Sequence, residues 1–350
     1  MIQERTVNLP HRPRRLRTTS ALRGLLAETQ LSPNDFIMPY FVVSGTGVTQ
    51  PIASMPGVAR LSTNLLLREL ERGLKLGVRA AMLFGVVGPE QKDPSGKHAH
   101  DPNGPVAEAL RAARRAFGND VVLMTDVCLC GYTDHGHCGL LRHTPRGVVI
   151  DNDPSLAALA EMALLHAEAG ADLVSPSDMM DGRVGYLRAA LDNAGRADTG
   201  ILAYTVKYAS AFYGPFRDAA GSSPKGAEDG GAQPQSKPPK DRKTYQMDFR
   251  NAREALTETV LDENEGADLL MVKPALAYLD ILHAMRERST KPLVAYQVSG
   301  EYAMFKAAAA AGALEEEAAV YESLTAIKRA GADLILSYYA LEATEKGWLV

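Results

Sequence analysis

The stretch Ala169-Gly170-Ala171-Asp172-Leu173-Val174 decides the fold, because the same pattern returns twice more along the chain. The later copies are Glu265-Gly266-Ala267-Asp268-Leu269-Leu270 and Ala330-Gly331-Ala332-Asp333-Leu334-Ile335. In each copy the glycine follows a helical pattern and suits the left-handed position that ends a helix. The apolar run after it is typical of a strand that is buried on both faces. The chain therefore repeats a helix-then-strand unit.

Working outward from these copies, eight apolar runs predict buried strands, at 36–43, 78–84, 121–127, 171–175, 201–206, 267–273, 292–298 and 332–338. Helical periodicity lies between them, at 64–76, 105–117, 155–169, 249–265, 276–288 and 316–330. Strands that alternate with helices predict a parallel sheet. Eight of them favour an α/β fold closed into a (β/α)8 TIM barrel over an open doubly wound sheet. No Gly-x-Gly-x-x-Gly follows the first strand, which weakens the dinucleotide-binding alternative.

We place a domain boundary near residue 30. Residues 1–30 precede the first strand and carry a basic run, so we expect an N-terminal arm that contacts other subunits. Residues 31–350 are then the catalytic barrel. Within it, 219–241 is rich in Gly, Pro, Ser and Lys, which predicts a mobile loop. Because this loop follows strand five on the catalytic side, we expect an active-site lid at about 213–246. A plain disordered insertion fits the middle of the loop equally well.

Composition argues against several classes of protein. The 350 residues include 38 basic and 42 acidic side chains, and a net charge of −4 does not favour nucleic acid as the main partner. No apolar run approaches the ~18–20 residues that span a bilayer. No signal-peptide pattern opens the chain, and its few cysteines form no disulfide framework. We therefore expect a cytoplasmic protein that does not enter a membrane.

All three cysteines fall within eleven residues, in Asp126-Val-Cys128-Leu-Cys130-Gly-Tyr-Thr-Asp-His135-Gly-His137-Cys138-Gly. Clustered thiols beside histidines indicate a site for a soft or borderline metal and favour zinc. No second cysteine pair completes a closed tetrahedral shell. Three protein ligands with a fourth position open are typical of catalytic zinc, so the segment predicts metal-assisted chemistry.

Polar side chains follow the predicted strands where active-site groups of a (β/α)8 barrel are found, at the carboxyl ends. They are Asp126, Cys128, Ser175, Lys207, Lys273, Ser299 and Tyr338. The two lysines each end an apolar run, and both burial and a nearby second cation disfavour the ammonium form. A neutral amine attacks a ketone to form a Schiff base. A lysine that reaches from a strand end into solvent is the alternative. Two such lysines beside a thiolate metal site suit the joining of two carbonyl compounds.

Eight segments extend this pattern, and in one-letter code they are RPRRLR at 12–17, the cysteine segment at 126–139, SPSDMMDGR at 175–183, KYASAFYGPFRD at 207–218, DRKTYQM at 241–247, MVKPA at 271–275, YQVSGEY at 296–302 and SYYA at 337–340. Through them the chain resembles the porphobilinogen synthase (5-aminolevulinate dehydratase) family over nearly its full length. The resemblance implies a lyase that condenses two 5-aminolevulinate molecules into porphobilinogen with loss of two waters, early in haem and tetrapyrrole biosynthesis. It implies no organic cofactor.

The resemblance also assigns catalytic roles. Lys273 would form the Schiff base with the substrate that supplies the propionate side, and Lys207 would bind or activate the acetate-side substrate. Asp126 would assist proton transfer. Zinc near the second substrate would be held by Cys128, Cys130 and Cys138. These cysteines place the chain with zinc-dependent members, as against members that carry aspartates there.

The resemblance implies contacts for the substrate carboxylates, which need cations or hydroxyl donors. Arg217 and Arg242 would clamp one carboxylate, although a surface ion pair is the alternative for either arginine. Ser299 and Tyr338 would hydrogen-bond the other. The remaining expected substrate contacts are Gln246, Ser175, Phe212 and Tyr213. We expect His135 and His137 to support the metal site from outside its ligand set or to be structural.

The same resemblance also implies how the protein is regulated and how its subunits assemble. Some family members bind magnesium at a subunit contact through a helical glutamate, which aligns with Glu258. A solvent-facing carboxylate is an equally good interpretation. The family's octamer, assembled from dimers with N-terminal arms that wrap neighbours, would explain the basic start of this chain. The segment between Arg217 and Arg242 is longer than we expect for the family.

Two rival functions stay open. One is a class I aldolase-type lyase with a single Schiff-base lysine and a structural metal. The other is a non-catalytic zinc-storing or interaction protein built on a barrel. The presence of both lysines, both arginines and all three cysteines argues against the second.

Overall fold

The structure, a computed structural model, describes residues 9–145, 147–224 and 238–349. The chain divides into two units, with the division between Gln30 and Leu31. The first unit contains a 3-10 helix, Pro13–Arg17, and helix α1, Ser20–Leu25. The side chain of Thr19 caps α1, because its hydroxyl accepts a hydrogen bond from the Leu22 amide at 3.1 Å. No residue of these two helices is buried.

Eight parallel strands form a closed barrel in the second unit. In chain order they are β1 Phe36–Val43, β2 Ala80–Gly85, β3 Val122–Val127, β4 Leu173–Pro176, β5 Gly200–Lys207, β6 Leu269–Lys273, β7 Leu293–Gln297 and β8 Leu334–Ser337. The last strand pairs with the first, with Phe36 opposite Ile335 and Ile37 opposite Leu336. The predicted (β/α)8 TIM barrel is therefore confirmed.

Helices surround the barrel, and α2 to α11 are, in chain order, Thr63–Leu76, Pro105–Phe117, Asn152–Ala169, Arg183–Asn193, Gly214–Ala220, Arg253–Asn264, Leu279–Arg286, Ser299–Ala310, Glu316–Arg329 and Ala340–Glu345. Their apolar sides pack on strands that are buried on both faces, as in β7, where every residue is buried. No helix within the described residues is long and apolar enough to cross a membrane.

Each of the three copies of the repeated motif ends one helix and begins the barrel strand that follows it. Gly170, Gly266 and Gly331 have φ values of 111°, 100° and 121°, as expected of the left-handed residue that ends a helix. The aspartate two positions later pairs with the preceding barrel strand. Asp172 Oδ2 accepts the Leu123 amide at 2.7 Å. In the other two copies, Asp268 Oδ2 accepts the Ile201 amide at 2.8 Å, and Asp333 Oδ2 accepts the Leu293 amide at 2.7 Å. The motif therefore aligns neighbouring strands as well as ending helices.

Within the described residues, four short strands lie outside the barrel, and the sequence patterns do not predict them. Thr49–Pro51 and Ala59–Ser62 pair with each other, and the second also pairs with the carboxyl end of β1. Leu140–Thr144 and Gly147–Asp151 form a hairpin after the cysteine segment. Each of the four has at most one buried residue, unlike the barrel strands, so none carries the buried apolar run that predicts a barrel strand.

The predicted loop at 219–241 starts too early. Ala219 and Ala220 are buried residues of α6, which ends at Gly221 in the left-handed conformation. The prediction was wrong at this boundary because the helix is held by contacts from distant parts of the chain. Residues 225–237 of the predicted loop lie outside the described residues.

Candidate active site

Lys207 and Lys273 end adjacent strands, β5 and β6, and are direct register partners. A register shift between Leu270 and Val272 brings the two lysines level. Each side chain is only 4% exposed. Both amines therefore enter the same apolar end of the barrel, where a charged ammonium group is costly. The expected burial of both lysines is found in the structure.

Aromatic rings surround the Lys273 amine. Its Nζ lies 4.4 Å from the centroid of the Tyr296 ring and 4.9 Å from that of Phe216. Tyr204 and Tyr213 follow at 5.1 and 5.2 Å. Burial, and then the positive charge of Lys207, lower the pKa of Lys273 to about 7. A substantial fraction of this amine is therefore neutral near neutral pH and able to act as a nucleophile.

Lys207 and Asp126 occupy the neighbouring part of the site. The Lys207 amine donates a hydrogen bond to the backbone oxygen of Ser177. Burial raises the pKa of Asp126 to about 6, with a further contribution from Cys130, whereas Lys207 and the Ser177 side chain oppose the rise. Asp126 lines two small internal cavities, one shared with the cysteines and one shared with both lysines. A carboxyl group with a pKa near neutrality can move a proton in this position.

The three cysteines converge on one point. Their Sγ atoms all lie within 4.8 Å of one another, and those of Cys128 and Cys130 are 3.3 Å apart. All three are free and buried. Hydrogen bonds among the thiols lower the pKa of Cys130 and raise that of Cys128, and the pKa of Cys138 is raised as well, so the group favours one thiolate shared among three sulfurs. The sulfurs are close enough for one metal ion to bind all three, and the set favours a soft or borderline ion.

The two histidines of the cysteine segment stand outside this ligand set. His137 Nδ1 lies 3.1 Å from the Tyr245 hydroxyl, and its Nε2 lies 2.8 Å from the Pro239 oxygen. Burial lowers the pKa of His137 to about 4, which keeps the ring neutral. The ring of Tyr245 packs on the cysteines, and its hydroxyl accepts the Cys138 amide at 3.4 Å. His137 therefore reaches the cysteines through Tyr245, and its role in supporting a metal stays a prediction.

Positive charge lies next to the cluster. Arg242 is buried and donates to the backbone oxygens of Gly136 at 2.8 Å and Ser222 at 2.6 Å. Burial works against its charge, but the negative charge of Cys138 and Cys130 raises the pKa of Arg242. Burial and the nearby Arg242 lower the pKa of Arg217. Both arginines line the cavity that holds the two lysines.

Several buried polar atoms here find no hydrogen-bond partner among the described residues. They include both side-chain polar atoms of Gln246, the Ser175 and Ser222 hydroxyls, the Tyr204 hydroxyl, and the Nε atoms of Arg217 and Arg242. Buried polar groups in proteins are normally satisfied. Of these residues, Arg217 and Arg242 line the cavity of the two lysines, where unsatisfied donors suit a polar ligand, whereas Gln246 lines a larger cavity of about 550 Å³. Ser175 is also the register partner of Asp126 on β4.

The remaining residues expected to contact substrate differ in their surroundings: some adjoin the Lys273 amine, and others are hydrogen-bonded within the protein. The Tyr338 hydroxyl lies 2.9 Å from that of Tyr296, whose ring covers the Lys273 amine. The Tyr213 hydroxyl donates to the backbone oxygen of Lys273 at 3.0 Å. The Ser299 hydroxyl is engaged by the protein, since it accepts the Phe216 amide at 2.9 Å. Phe212 is half-buried, and its backbone oxygen lies 3.5 Å from the same hydroxyl.

Glu258 is not part of this cluster. It lies on α7 and lines a second cavity, of about 550 Å³, with Glu254 and Asp181; Tyr245 and Gln246 line the same cavity. Burial raises the pKa of Glu258 to about 6; Arg183 opposes the rise, and Asp262 adds to it. Within the described residues, only the three cysteines form a group of three or more side chains able to hold a metal.

Sequence reasoning missed four residues that shape the site. Tyr204 and Tyr296 lie on barrel strands, where a tyrosine within a buried run signals a hydroxyl directed to a functional interior. Phe216 belongs to a motif used for the family resemblance, but it was given no role. Ser177 follows β4 by one residue, and only the structure shows that its backbone oxygen accepts the Lys207 amine.

The two cavities at the lysines and cysteines have volumes of about 10 Å³ each. A cavity of this size holds about one water molecule. Phe216 lines both cavities, and Arg217 and Arg242 close the second. The site is thus closed in this conformation, and a substrate larger than water requires these walls to move.

The fold and this site define a class: a (β/α)8 barrel enzyme with two buried lysines, a carboxylate and a group of thiols at the carboxyl ends of the strands. Residues 10–346 match the family model of delta-aminolevulinic acid dehydratase. The chain belongs to the delta-aminolevulinic acid dehydratase family.

Individual relatives match nearly the full length of the chain. The delta-aminolevulinic acid dehydratase of Streptomyces coelicolor is 51% identical, with 95% of each chain covered. That of Escherichia coli K12 is 49% identical and covers 97% of this chain and 98% of its own. A crystal structure of delta-aminolevulinic acid dehydratase (porphobilinogen synthase) from Toxoplasma gondii ME49, in complex with the reaction product porphobilinogen, has a TM-score of 0.89 at 46% identity. The match covers 97% of this chain and 92% of that chain.

Proposed function

We propose that this protein condenses two molecules of 5-aminolevulinate into porphobilinogen, with the loss of two waters, as a step towards haem and other tetrapyrroles. The observation that carries the proposal is the level pairing of Lys207 and Lys273 in one buried site that adjoins three converging cysteines. Membership of the family and the product bound in the Toxoplasma relative support it. One C–C and one C–N bond join the two substrates, and each bond formed releases one water.

Lys273 is the residue we assign to Schiff-base formation. Its neutral amine attacks a substrate ketone, and loss of water gives an imine between Lys273 and the substrate. The lowered pKa of about 7 supplies the neutral amine, and the rings of Tyr296 and Phe216 exclude water that would hydrolyse the imine. The aromatic rings also stabilise the positive charge when the imine is protonated.

Lys207 binds or activates the second substrate in this proposal, and Asp126 moves protons. Lys207 is held in place by the Ser177 backbone oxygen, so its amine has a fixed position beside Lys273. The Asp126 carboxyl, with a pKa near 6, accepts protons from the carbons that react and returns them to the leaving oxygens. Only one protonation state of Asp126 can begin each such transfer.

Cys128, Cys130 and Cys138 would hold zinc. Their closeness, their burial and the contacts of Tyr245 with them suit a thiolate-bound ion. When bound, such an ion acts as a Lewis acid on a carbonyl oxygen or lowers the pKa of a bound water. The cysteines lie beside Asp126, so this chemistry would act on the second substrate.

The substrate carboxylates are assigned to two groups. Arg217 and Arg242 would clamp one, because each has an unpartnered Nε in the cavity wall. Gln246, Ser175, Phe212 and Tyr213 would complete the substrate contacts. Ser299 and Tyr338 would bind the other carboxylate, but this requires the Ser299 hydroxyl to exchange its contact with the Phe216 amide. Substrate binding and movement of α6 are therefore coupled.

Assembly, location and regulation complete the proposal. Leu9, Leu16, Leu25 and Leu26 are exposed within the N-terminal arm of residues 1–30, which suits an arm that packs on another subunit. We accordingly propose a homo-oligomer, an octamer as the resemblance implies. The three free thiols suit the reducing cytoplasm. Magnesium at Glu258 is proposed as a regulatory site, in which water or a neighbouring subunit supplies the remaining ligands.

The experiment combines product formation with trapping. The protein is loaded with zinc, supplied with 5-aminolevulinate, and assayed for the pyrrole with an aldehyde colour reagent. Borohydride is then added during turnover, and the reduced adduct is located by peptide mapping. We expect an adduct on Lys273 and its loss in Lys273→Met. Pyrrole formation with no adduct on Lys273 would overturn the mechanism, and absence of pyrrole would overturn the function.

A further inference from the structure

Helix α6 carries two residues of the site although it is only seven residues long. Phe216 covers the Lys273 amine, and Arg217 lines the cavity of the two lysines. A helix this short is not stable by itself in water. Its position therefore depends on contacts made by the rest of the protein.

The carboxyl end of α6 is held by two cations from distant segments. Arg60 Nε donates to the Ala219 oxygen at 2.6 Å, and its Nη2 donates to the Asp218 oxygen at 2.8 Å. Lys92 Nζ donates to the Gly221 oxygen at 2.5 Å. The last carbonyls of a helix have no partner within the helix and carry partial negative charge, so cations stabilise them.

Two further segments also contact the carboxyl end of α6. The Ser54 hydroxyl donates to the Asp218 carboxylate at 2.7 Å. Arg242, which faces the cysteines, donates to the Ser222 oxygen just beyond the helix. Arg60 lies on the strand Ala59–Ser62, and its register partner is Phe41 of β1. A rigid part of the barrel is thereby connected to the wall of the active site.

Resting on the proposed function, we infer that Arg60 and Lys92 are positioning residues that act through α6. They hold Phe216 and Arg217 at the lysines, and they do not touch the reacting atoms. Loss of either cation lowers the fraction of molecules in which α6 is docked. The apparent affinity for substrate falls in proportion to that fraction, because bound substrate must then supply the docking energy. At saturation the helix is docked again, so turnover persists.

The test compares Arg60→Met and Lys92→Met with Arg115→Met, an exposed arginine on α3. For each of the first two we expect the KM for 5-aminolevulinate to rise about tenfold, as for loss of one or two charge-assisted hydrogen bonds. The kcat should change by less than about twofold. Arg60→Lys keeps the charge but cannot form both bonds, so it should recover part of the KM. Arg115→Met should match the parent.

A second measurement does not depend on activity. Hydrogen exchange of the amides in 214–221 should accelerate in Arg60→Met and Lys92→Met, while the amides of β5 and β6 stay protected. The inference is wrong if KM and exchange are unchanged, or if kcat falls at constant KM. It is also wrong if both variants unfold, because the two cations would then be structural. Absence of product from the parent protein would overturn the proposed function alone, since the exchange comparison would still test the two cations.

Discussion

The environment of Lys273 makes its reactivity depend on Lys207. Burial is the larger cause of the lowered pKa of Lys273, and the charge of Lys207 is the second. In Lys207→Met the second cause is removed, so the pKa of Lys273 should rise from about 7 towards that of an ordinary lysine. Product formation should stop, because Lys207 is the residue that we propose binds or activates the second substrate.

The measurement is the pH dependence of borohydride trapping on Lys273. In the parent protein the trapped fraction should rise with pH around 7, since the reactive amine is the deprotonated form. In Lys207→Met the same rise should occur at higher pH. Lys75→Met, at an exposed residue of α2 paired with Glu71, is the control and should leave the midpoint in place. An unchanged midpoint in Lys207→Met would show that the two amines do not interact.

The cysteines allow a catalytic metal site to be distinguished from a structural one. They form a small buried cluster of their own, and half-buried Tyr245 packs both on it and on the main apolar cluster of the barrel. Cys130→Ser should therefore lose zinc and product formation while circular dichroism and the melting temperature stay close to the parent. Metal content by mass spectrometry accompanies the assay. A Cys130→Ser protein that unfolds would identify a structural site instead.

The arrangement of these residues could be predicted from the sequence only in part. Lys207 and Lys273 each end an apolar run, so their depth in the barrel follows from position alone. Their level pairing does not, because it depends on the register shift between Leu270 and Val272. The contact between Lys207 and the Ser177 backbone also has no sequence signal, since any residue supplies a backbone oxygen.

At the scale of elements, the start of α9 packs so closely on the segment before α6 that a side chain at Gly300 would clash with its backbone. A Cβ added at Gly300 would lie 2.4 Å from the Phe212 oxygen and 2.8 Å from the Phe212 Cα. Gly300→Ala must therefore displace Ala211–Tyr213, a single 3-10 turn that carries Tyr213 to Lys273. We expect a loss of about 1–3 kcal/mol in the free energy of unfolding, typical of overpacking. We also expect kcat/KM to fall at least about tenfold.

Gly185→Ala is the matched control for this change. Gly185 lies within α5, and a Cβ there would meet only the flexible Glu265 side chain, at 3.4 Å. Replacing glycine by alanine inside a helix stabilises by about 0.5–1 kcal/mol, so this variant should unfold at a slightly higher denaturant concentration and keep its activity. Equal behaviour of the two variants in denaturation and in the assay would contradict the close contact at Phe212.

Elements with a strong local signal could be predicted, and elements fixed by distant contacts could not. The predicted strand at 36–43 and helix at 105–117 coincide with Phe36–Val43 and Pro105–Phe117. The strand is a nearly continuous apolar run, and the helix has apolar residues at helical spacing. Helix α6 begins with Gly214 and Pro215, which by themselves favour a turn. Its last carbonyls accept hydrogen bonds from Arg60, and the Gly221 oxygen just beyond it accepts one from Lys92, contacts for which the local sequence has no signal.

At the scale of the whole molecule, the fold follows from one repeated device. In three copies a left-handed glycine ends a helix, and the aspartate two residues later accepts an amide of the preceding strand. Each copy thus starts a strand already aligned with its neighbour. The closure of β8 onto β1 involves residues some 300 positions apart and has no local signal. Closure could still be predicted from the number of strands, because eight alternating strand and helix units favour a closed barrel.

The arm of residues 1–30 is expected to act in assembly and not in folding of the barrel. Among the described residues, every buried apolar residue lies at Leu31 or later, so deletion of the arm removes no part of the core. The deleted protein should keep its circular dichroism spectrum and melt as a folded barrel. Its mass by light scattering should be smaller than that of the full chain, because the arm's exposed leucines would pack on another subunit. Leu16→Ser with Leu25→Ser, which keeps the arm's length and charge, should reduce the mass in the same direction. If both proteins retain the mass of the full chain, the arm does not join subunits, and the exposed leucines need another explanation.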